Sequence, residues 1–468
     1  MLTMTLAELA SAVGGTLRDA DPNAVVTAPV RYDSRLIEPG GLFAAFPGVN
    51  VDGHEFAARA VADGAAVVLG SRPVGVPAVV VEDVRAALGR LAAALVIRAT
   101  GLTVVGVTGS VGKTTTKDLL GPVLSRLGPT VAPPGNLNNE IGLPSTVSLI
   151  TAETRFLVSE MGARNVGDVT YLAGLVQPRV GIVTAIGTPH LSGFGTLEIT
   201  TKAKSELIEA LPADGRAVLN ADDHRVAGMA AKSAAPVTFY GASADVRAED
   251  ITVDALGRAS FLLCTPAGSS AVAMRLIGEH YVSNALAAAA AALAFTDDVS
   301  LIADALSSAA RASEGRMQVS EIEPGITVIN DAYSSSPTST AAALKTAAAL
   351  AQGRRLLAVL GQMNELGADS PRHHTELGGT AADAGVRYLI GVGNADAGRI
   401  AAAASAGGVE VEHVPDAAAA LALIHRRWAA GDVVLIKGSN SLGLQAVAKQ
   451  LVAEGASDPA HAATQGNG

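Results

Sequence analysis

The run Val104-Val-Gly-Val-Thr-Gly-Ser-Val-Gly-Lys-Thr-Thr-Thr-Lys117 decides how the chain is read. Thr103–Val107 is β-branched and almost wholly apolar, the pattern of a strand buried in a parallel sheet. Glycines follow where backbone amides must approach an anion unobstructed, and a helical run continues from Leu119. Strand, glycine loop, Lys-Thr and helix in that order predict a cradle for a nucleoside triphosphate, because loop amides and the helix N-terminus both stabilise negative charge. ATP is the expected ligand, held by Gly109, Ser110, Val111, Gly112, Lys113, Thr114 and Thr115. Lys113 is expected to reach the β- and γ-phosphates and Thr114 to ligate magnesium. The spacing is G-x-x-G-x-x-G-K-T, with Val107 where the common phosphate-loop pattern has its first glycine. By itself the loop leaves a kinase, a GTPase and a ligase open.

Working outward, apolar strands alternate with helical segments on both sides, which predicts an α/β protein. Residues 1–98 read as a small α/β unit, with strand candidates at Val25–Val30, Leu42–Phe46, Val67–Leu69 and Val79–Val81. Residues 99–312 read as a doubly wound, mostly parallel sheet around the loop, with strands at Phe156–Ser159, Val180–Thr184, Ala217–Asn220 and Val237–Tyr240. An antiparallel ribbon is expected over Val246–Leu263, turning at Ala255-Leu-Gly257. The pattern restarts near Ala312, and residues 313–454 read as a Rossmann-like α/β unit with strands at Thr327–Asn330, Leu356–Leu360, Tyr388–Val392 and Val433–Lys437. Residues 455–468 are small and polar, and are expected to be a disordered tail.

Composition narrows the function classes. The 468 residues are enough for two to four domains, and 49% are apolar, so large cores can form. A net charge of −10 with 3% aromatic residues leaves neither a basic stripe nor stacking platforms for nucleic acid. The single cysteine, Cys264, excludes an intrachain disulfide and fits a reducing compartment. The N-terminus lacks the basic and apolar regions of a signal peptide, and the most apolar stretch, Ala285–Phe295, is half the length of a membrane span. A cytoplasmic chain without membrane insertion is expected, and nothing points to an obligate assembly, so a monomer is expected.

Three further features bear on chemistry. Glu160 follows the strand Phe156–Ser159, where a carboxylate at a strand's C-terminal end suits magnesium. His190 sits in Thr188-Pro-His190, shortly after the strand Val180–Thr184. Lys202 and Lys204 open a helix, and residue type alone does not separate either from a solvated surface.

Together the chain resembles the Mur ligases, ATP-dependent enzymes that build the peptide of the bacterial cell-wall precursor. The resemblance runs through Gly106–Thr116, Glu160-Met-Gly162, His190, Lys202-Ala-Lys204, Gly278-Glu-His-Tyr-Val-Ser-Asn284, Glu314-Gly-Arg316, Asn330-Asp-Ala-Tyr333 and Lys437-Gly-Ser439. Asp33-Ser-Arg35, Pro39-Gly-Gly-Leu-Phe43 and Asp52-Gly-His54 resemble the family's uridine-binding domain. Asn136-Leu-Asn-Asn-Glu-Ile-Gly-Leu-Pro144 and Leu360-Gly-Gln-Met-Asn-Glu-Leu-Gly367 resemble the branch that joins D-alanyl-D-alanine to UDP-N-acetylmuramoyl-tripeptide.

The resemblance implies roles. Thr114 and Glu160 would hold one Mg2+, His190 and Lys204 a second, with Lys204 carbamylated into an oxygen ligand. Asn284, Asp331 and Tyr333 would contact the nucleotide, and Arg316 would lean toward the γ-phosphate from the domain boundary. Ser34 and Arg35 would recognise the uridine nucleotide, and Asn138 and Asn139 would contact substrate. The chain departs from the family pattern at Tyr333-Ser-Ser-Ser-Pro337, usually Y-N-A-N-P; at Gln362, usually aspartate; and at Asn440, often arginine. The alternative readings are the diamino-acid-adding member of the family, whose Asp-Asn-Pro-Arg-type motif is absent, and a P-loop kinase or regulatory ATPase.

Overall fold

A computed structural model describes residues 1–48, 51–187, 196–310 and 312–457. Among them, three α/β sheets, one three-stranded antiparallel ribbon and a short antiparallel pair, Met4–Thr5 with Val25–Val26, make up the strands. Of the described residues, those within 1–184, 201–246 and 287–305 form one compact unit, and those within 185–200, 247–286 and 306–457 a second.

The first unit contains two of the sheets. Its N-terminal sheet runs Thr16–Arg18, Ala78–Val80, Val67–Gly70, Leu42–Ala44, Val30–Arg31, all parallel apart from the first pairing. Val25–Val30, read from sequence as one strand, is two short strands, because Thr27 and Ala28 turn to donate their amides to the Gly40 carbonyl. This sheet is fixed to its neighbour by the helix Val84–Arg98, where Gly89 has no room for a Cβ against the Tyr171 hydroxyl, and by the Val30 amide on the Ser148 hydroxyl at 3.0 Å.

The central sheet runs Val237–Tyr240, Arg216–Asn220, Val180–Val183, Thr103–Thr108, Phe156–Glu160, Thr130–Val131, parallel throughout. After Thr103–Thr108 the chain first builds strands on one side of it, then crosses to the other. The glycine loop therefore leaves the sheet at its topological switch point, where open α/β sheets bind ligands. Val107 is buried within the strand and paired with Glu160 and Ile182, which explains why no glycine stands there: the loop begins later.

In the second unit the sheet runs Gln318–Ile322, Ile326–Asn330, Val433–Lys437, Leu356–Gly361, Tyr388–Val392, Glu410–Val414. Only the first pairing is antiparallel. The sequence reading omits both edge strands, whose half-exposed pattern lacks the continuous apolar run of the inner ones. The ribbon belongs to this unit and has three strands, Arg247–Val253, Arg258–Thr265 and Gly268–Ile277, one more than expected. The last helix, Leu444–Ser457, continues past the expected end of order at 455, because Gly455 lies against Ile322, where a Cβ would come within 2.6 Å.

The helices Ser370–Asp383 and Ala395–Ala406 pack backbone to backbone. A Cβ on Gly378 would fall 2.3 Å from the Ile400 carbonyl oxygen, and backbone cannot yield as a flexible side chain does. Gly378→Ala is expected to destabilise the protein by about 1–3 kcal/mol, read as a lower urea midpoint.

Candidate active site

The glycine loop is built as its spacing predicts. Gly109 and Gly112 take φ of 141° and 84°, which favour glycine, and the helix Lys113–Ser125 starts directly after them. Neighbouring strands brace the loop: Thr184 donates to the Val111 carbonyl at 2.6 Å, and Thr108 to the Met161 carbonyl at 2.7 Å. The Lys113 ammonium folds over the loop, 2.7 Å from the Gly109 carbonyl, where the phosphates of a nucleotide would draw it outward.

Thr114 opens the helix and Glu160 ends the adjacent strand, and parallel pairing brings them together: the threonine hydroxyl donates to Glu160 Oε2 at 2.8 Å. Glu160 is 3% exposed. Its other oxygen accepts from Asn138 Nδ2 at 2.7 Å. Asn138 thus orients the carboxylate, and Asn139 accepts from the Gly142 amide at 2.8 Å at the start of the helix Gly142–Val147.

The two lysines of Lys202-Ala-Lys204 separate clearly. The helix Leu197–Glu209 buries Ala203, Lys204 and Leu207, and Leu207 lies against Gly106 of the loop strand. Lys202 is exposed, whereas Lys204 is 1% exposed. Burial, and then the Lys113 ammonium, push the Lys204 amine down to about 7; Asp168, Glu160 and Glu206 pull weakly the other way. Glu206, which the sequence reading passed over, accepts from the Gly167 amide at 2.6 Å and the Thr170 amide at 2.9 Å. It supplies the cap that the helix Asp168–Val176 lacks at its own N-terminus. His190 lies outside the described residues. Among the described residues no group of three or more His, Cys, Asp or Glu could hold a metal. The site instead offers a threonine hydroxyl, one carboxylate and a buried lysine.

A second cluster forms in the other unit, at the carboxyl ends of Ile326–Asn330 and Val433–Lys437. Lys437 is 2% exposed and donates to Asp331 Oδ2 at 2.6 Å and to the Ser334 carbonyl at 2.8 Å. Asp331 Oδ1 accepts the Met317 amide at 3.0 Å, and the Arg316 guanidinium lies 4.7 Å from the Tyr333 ring centroid. Asn284 lies in the first turn of the helix Tyr281–Ala292. Gln362 accepts the Asn394 amide at 2.7 Å, and Asn440 accepts from Gln445 at 3.0 Å. Two of the three departures from the family pattern, Gln362 and Asn440, are therefore absorbed into neutral hydrogen bonds. Lys437→Met is expected to cost about 3 kcal/mol, since it leaves the largely buried Asp331 carboxylate without its cation. Lys437→Met with Asp331→Asn should cost less, and chemical denaturation of the two variants compares them.

At the N-terminal sheet, Ser34 is buried, while Arg35 is exposed and pairs with Asp33 at 2.6 Å. That guanidinium holds the Asp33 carboxyl down at about 2.

The chain matches family models described as the Mur ligase family catalytic domain over residues 28–99, the Mur ligase middle domain over 107–292 and the Mur ligase glutamate ligase domain over 315–440. It is similar to the UDP-N-acetylmuramoyl-tripeptide–D-alanyl-D-alanine ligase of Mycobacterium tuberculosis, at 42% identity over 97% of this chain and 98% of the relative. The ligase of the same name from Escherichia coli is 34% identical over 97% of this chain and all of the relative. Among solved structures, MurF from Acinetobacter baumannii superimposes with a TM-score of 0.83 at 34% identity, covering 96% of this chain and 99% of that one. MurF from Thermotoga maritima in complex with ADP gives 0.75 at 27% identity, covering 92% and 98%.

Proposed function

Because the chain belongs to the Mur ligase family, we propose that it uses ATP to join D-alanyl-D-alanine to UDP-N-acetylmuramoyl-tripeptide, giving the pentapeptide, ADP and phosphate. The observation that carries this reading is the near full-length similarity to ligases of that name, with Thr114, Glu160 and the buried Lys204 gathered around the glycine loop. A kinase or regulatory ATPase has no use for Lys204 in that position.

A carboxylate acylates an amine only after its oxygen becomes a leaving group. The tripeptide's terminal carboxylate attacks the γ-phosphate, ADP departs, and an acyl phosphate forms. The dipeptide amine then adds to its carbonyl carbon, and the tetrahedral intermediate collapses to amide and phosphate. Carboxylate and triphosphate repel each other, so the dominant requirement is fixed positive charge. Lys113 and the loop amides supply it on this chain.

Thr114 and Glu160 suit Mg2+: both are hard oxygen donors, 2.8 Å apart, with Glu160 held by Asn138. The ion, when bound, would screen the triphosphate from the incoming carboxylate. A second ion would need Lys204 as a carbamate, and the family resemblance assigns His190 as its other ligand. A carbamate would turn the repulsion between Lys204 and Lys113 into attraction, and the depressed amine favours the neutral form that adds carbon dioxide.

Arg316, Asn284, Asp331 and Tyr333 are assigned to the nucleotide, and Ser34 and Arg35 to the uridine moiety. Residues 1–98, 99–312 and 313–454 are assigned to uridine substrate, ATP and ligase closure respectively. The chain acts as a monomer in the cytoplasm; no helix among the described residues is long and apolar enough to cross a membrane.

Phosphate release with UDP-N-acetylmuramoyl-tripeptide tests the reaction. Release is expected with D-alanyl-D-alanine, and only at background with single amino acids or no amine. Release with a free diamino acid but not with the dipeptide overturns the assignment in favour of the diamino-acid-adding branch.

A further inference from the structure

Lys117 is a buried cation without a role in the chemistry above. It follows Lys113 by one helical turn and is 2% exposed. Its ammonium donates to the Pro133 carbonyl at 2.5 Å and pairs with Asp118, itself largely buried. Burying an ammonium is costly unless geometry and hydrogen bonds are good, so this pair fixes its surroundings more than it stabilises them.

What it fixes is the segment from Pro133 to Asn139. At the far end of that segment Asn138 donates to Glu160 Oε1, and its own carbonyl accepts the Gly162 amide at 2.7 Å. The contacts close a ring. From the helix Lys113–Ser125, Lys117 holds Pro133, the segment carries Asn138 to Glu160, and Glu160 returns through Thr114 to the same helix. Both ends of the segment are thus referred to one rigid helix, one turn apart.

We propose that Lys117 is a positioning residue for the metal-binding carboxylate: through Pro133–Asn138 it sets the direction in which Glu160 faces Thr114. It touches neither nucleotide nor metal, and its effect travels through the loop. The inference rests on the reading of Thr114 and Glu160 as Mg2+ ligands.

The test uses the full chain, with ADP titrated calorimetrically in Mg2+ and in EDTA. Lys117→Met with Asp118→Asn removes both charges, so no ion is left buried alone, and circular dichroism checks folding. Its metal-free ADP affinity should stay within about twofold of wild type, while the gain conferred by Mg2+ should fall by about tenfold, the size typical of residues that orient metal ligands. Hydrogen exchange in the nucleotide-free protein should quicken at residues 135–139. A purely structural lysine would lower thermal stability and leave the Mg2+ gain intact, and that result overturns the proposal. Unchanged exchange at 135–139 overturns it as well. If wild type shows no Mg2+ gain, the metal reading itself fails, and the exchange measurement still decides whether Lys117 holds the loop. Should the double variant not fold, Lys117→Arg, which keeps a cation beside Asp118 but displaces the donor to Pro133, carries the same measurements.

Discussion

Lys204→Ala is expected to lower turnover by about 10²–10³-fold, the scale for removing one group that stabilises developing charge. Acetate or another short carboxylic acid should restore part of it. The argument rests on where the amine sits. It is buried beside the Lys113 ammonium, so its protonated form is disfavoured and its pKa falls to about 7. Below that pH the amine is protonated and inert to carbon dioxide; above it the neutral amine adds carbon dioxide and releases a proton. Activity in carbon-dioxide-depleted buffer should therefore fall as pH drops through about 7, and bicarbonate should restore it most near that pH. Full activity of Lys204→Ala without rescue removes Lys204 from the site. Lys202→Ala is the control: the same chemistry on an exposed side chain should change turnover little.

The second large effect is expected at Glu160. Glu160→Gln keeps the size of the side chain but removes its charge, and its amide nitrogen cannot accept from Thr114 or Asn138 as an oxygen does. A fall in kcat of about 10²–10³-fold is expected, with saturation moved to higher Mg2+. Asn138→Ala should cost only about tenfold, because it removes an orienting hydrogen bond and leaves the ligand. Steady-state kinetics across a Mg2+ series separates the two. Equal losses would place Asn138 on the substrate, as the sequence resemblance first suggested.

These two residues show the limit of reading the chain in one dimension. Glu160 was accessible because an apolar strand ends in a carboxylate, and strand ends are where such sheets bind ligands. Lys204 was not separated from Lys202 by composition, although helical spacing carried a signal: Thr200, Lys204 and Leu207 share one face and Lys202 does not. Lys117 lies one turn beyond Lys113 in the same way, yet a lysine on a helix is ordinarily solvated, and nothing local announces that it is buried. The two edge strands of the C-terminal sheet and the third ribbon strand escaped for the opposite reason. Their alternating, half-exposed sequences are stabilised by pairing with neighbours, which is not a local property.

The glycine loop, the inner parallel strands and their order along the chain were settled by sequence alone. Each depends on local chemistry: glycine's freedom at positive φ, β-branched burial, and an anion's need for backbone amides. The partners were settled only by the tertiary structure. Asn138 on Glu160, Asp331 on Lys437 and Lys117 on Pro133 join residues 16 to 106 positions apart. Which carboxylate meets which donor is fixed by strand pairing and by what remains buried once the sheets have closed, and that information exists in no segment taken by itself.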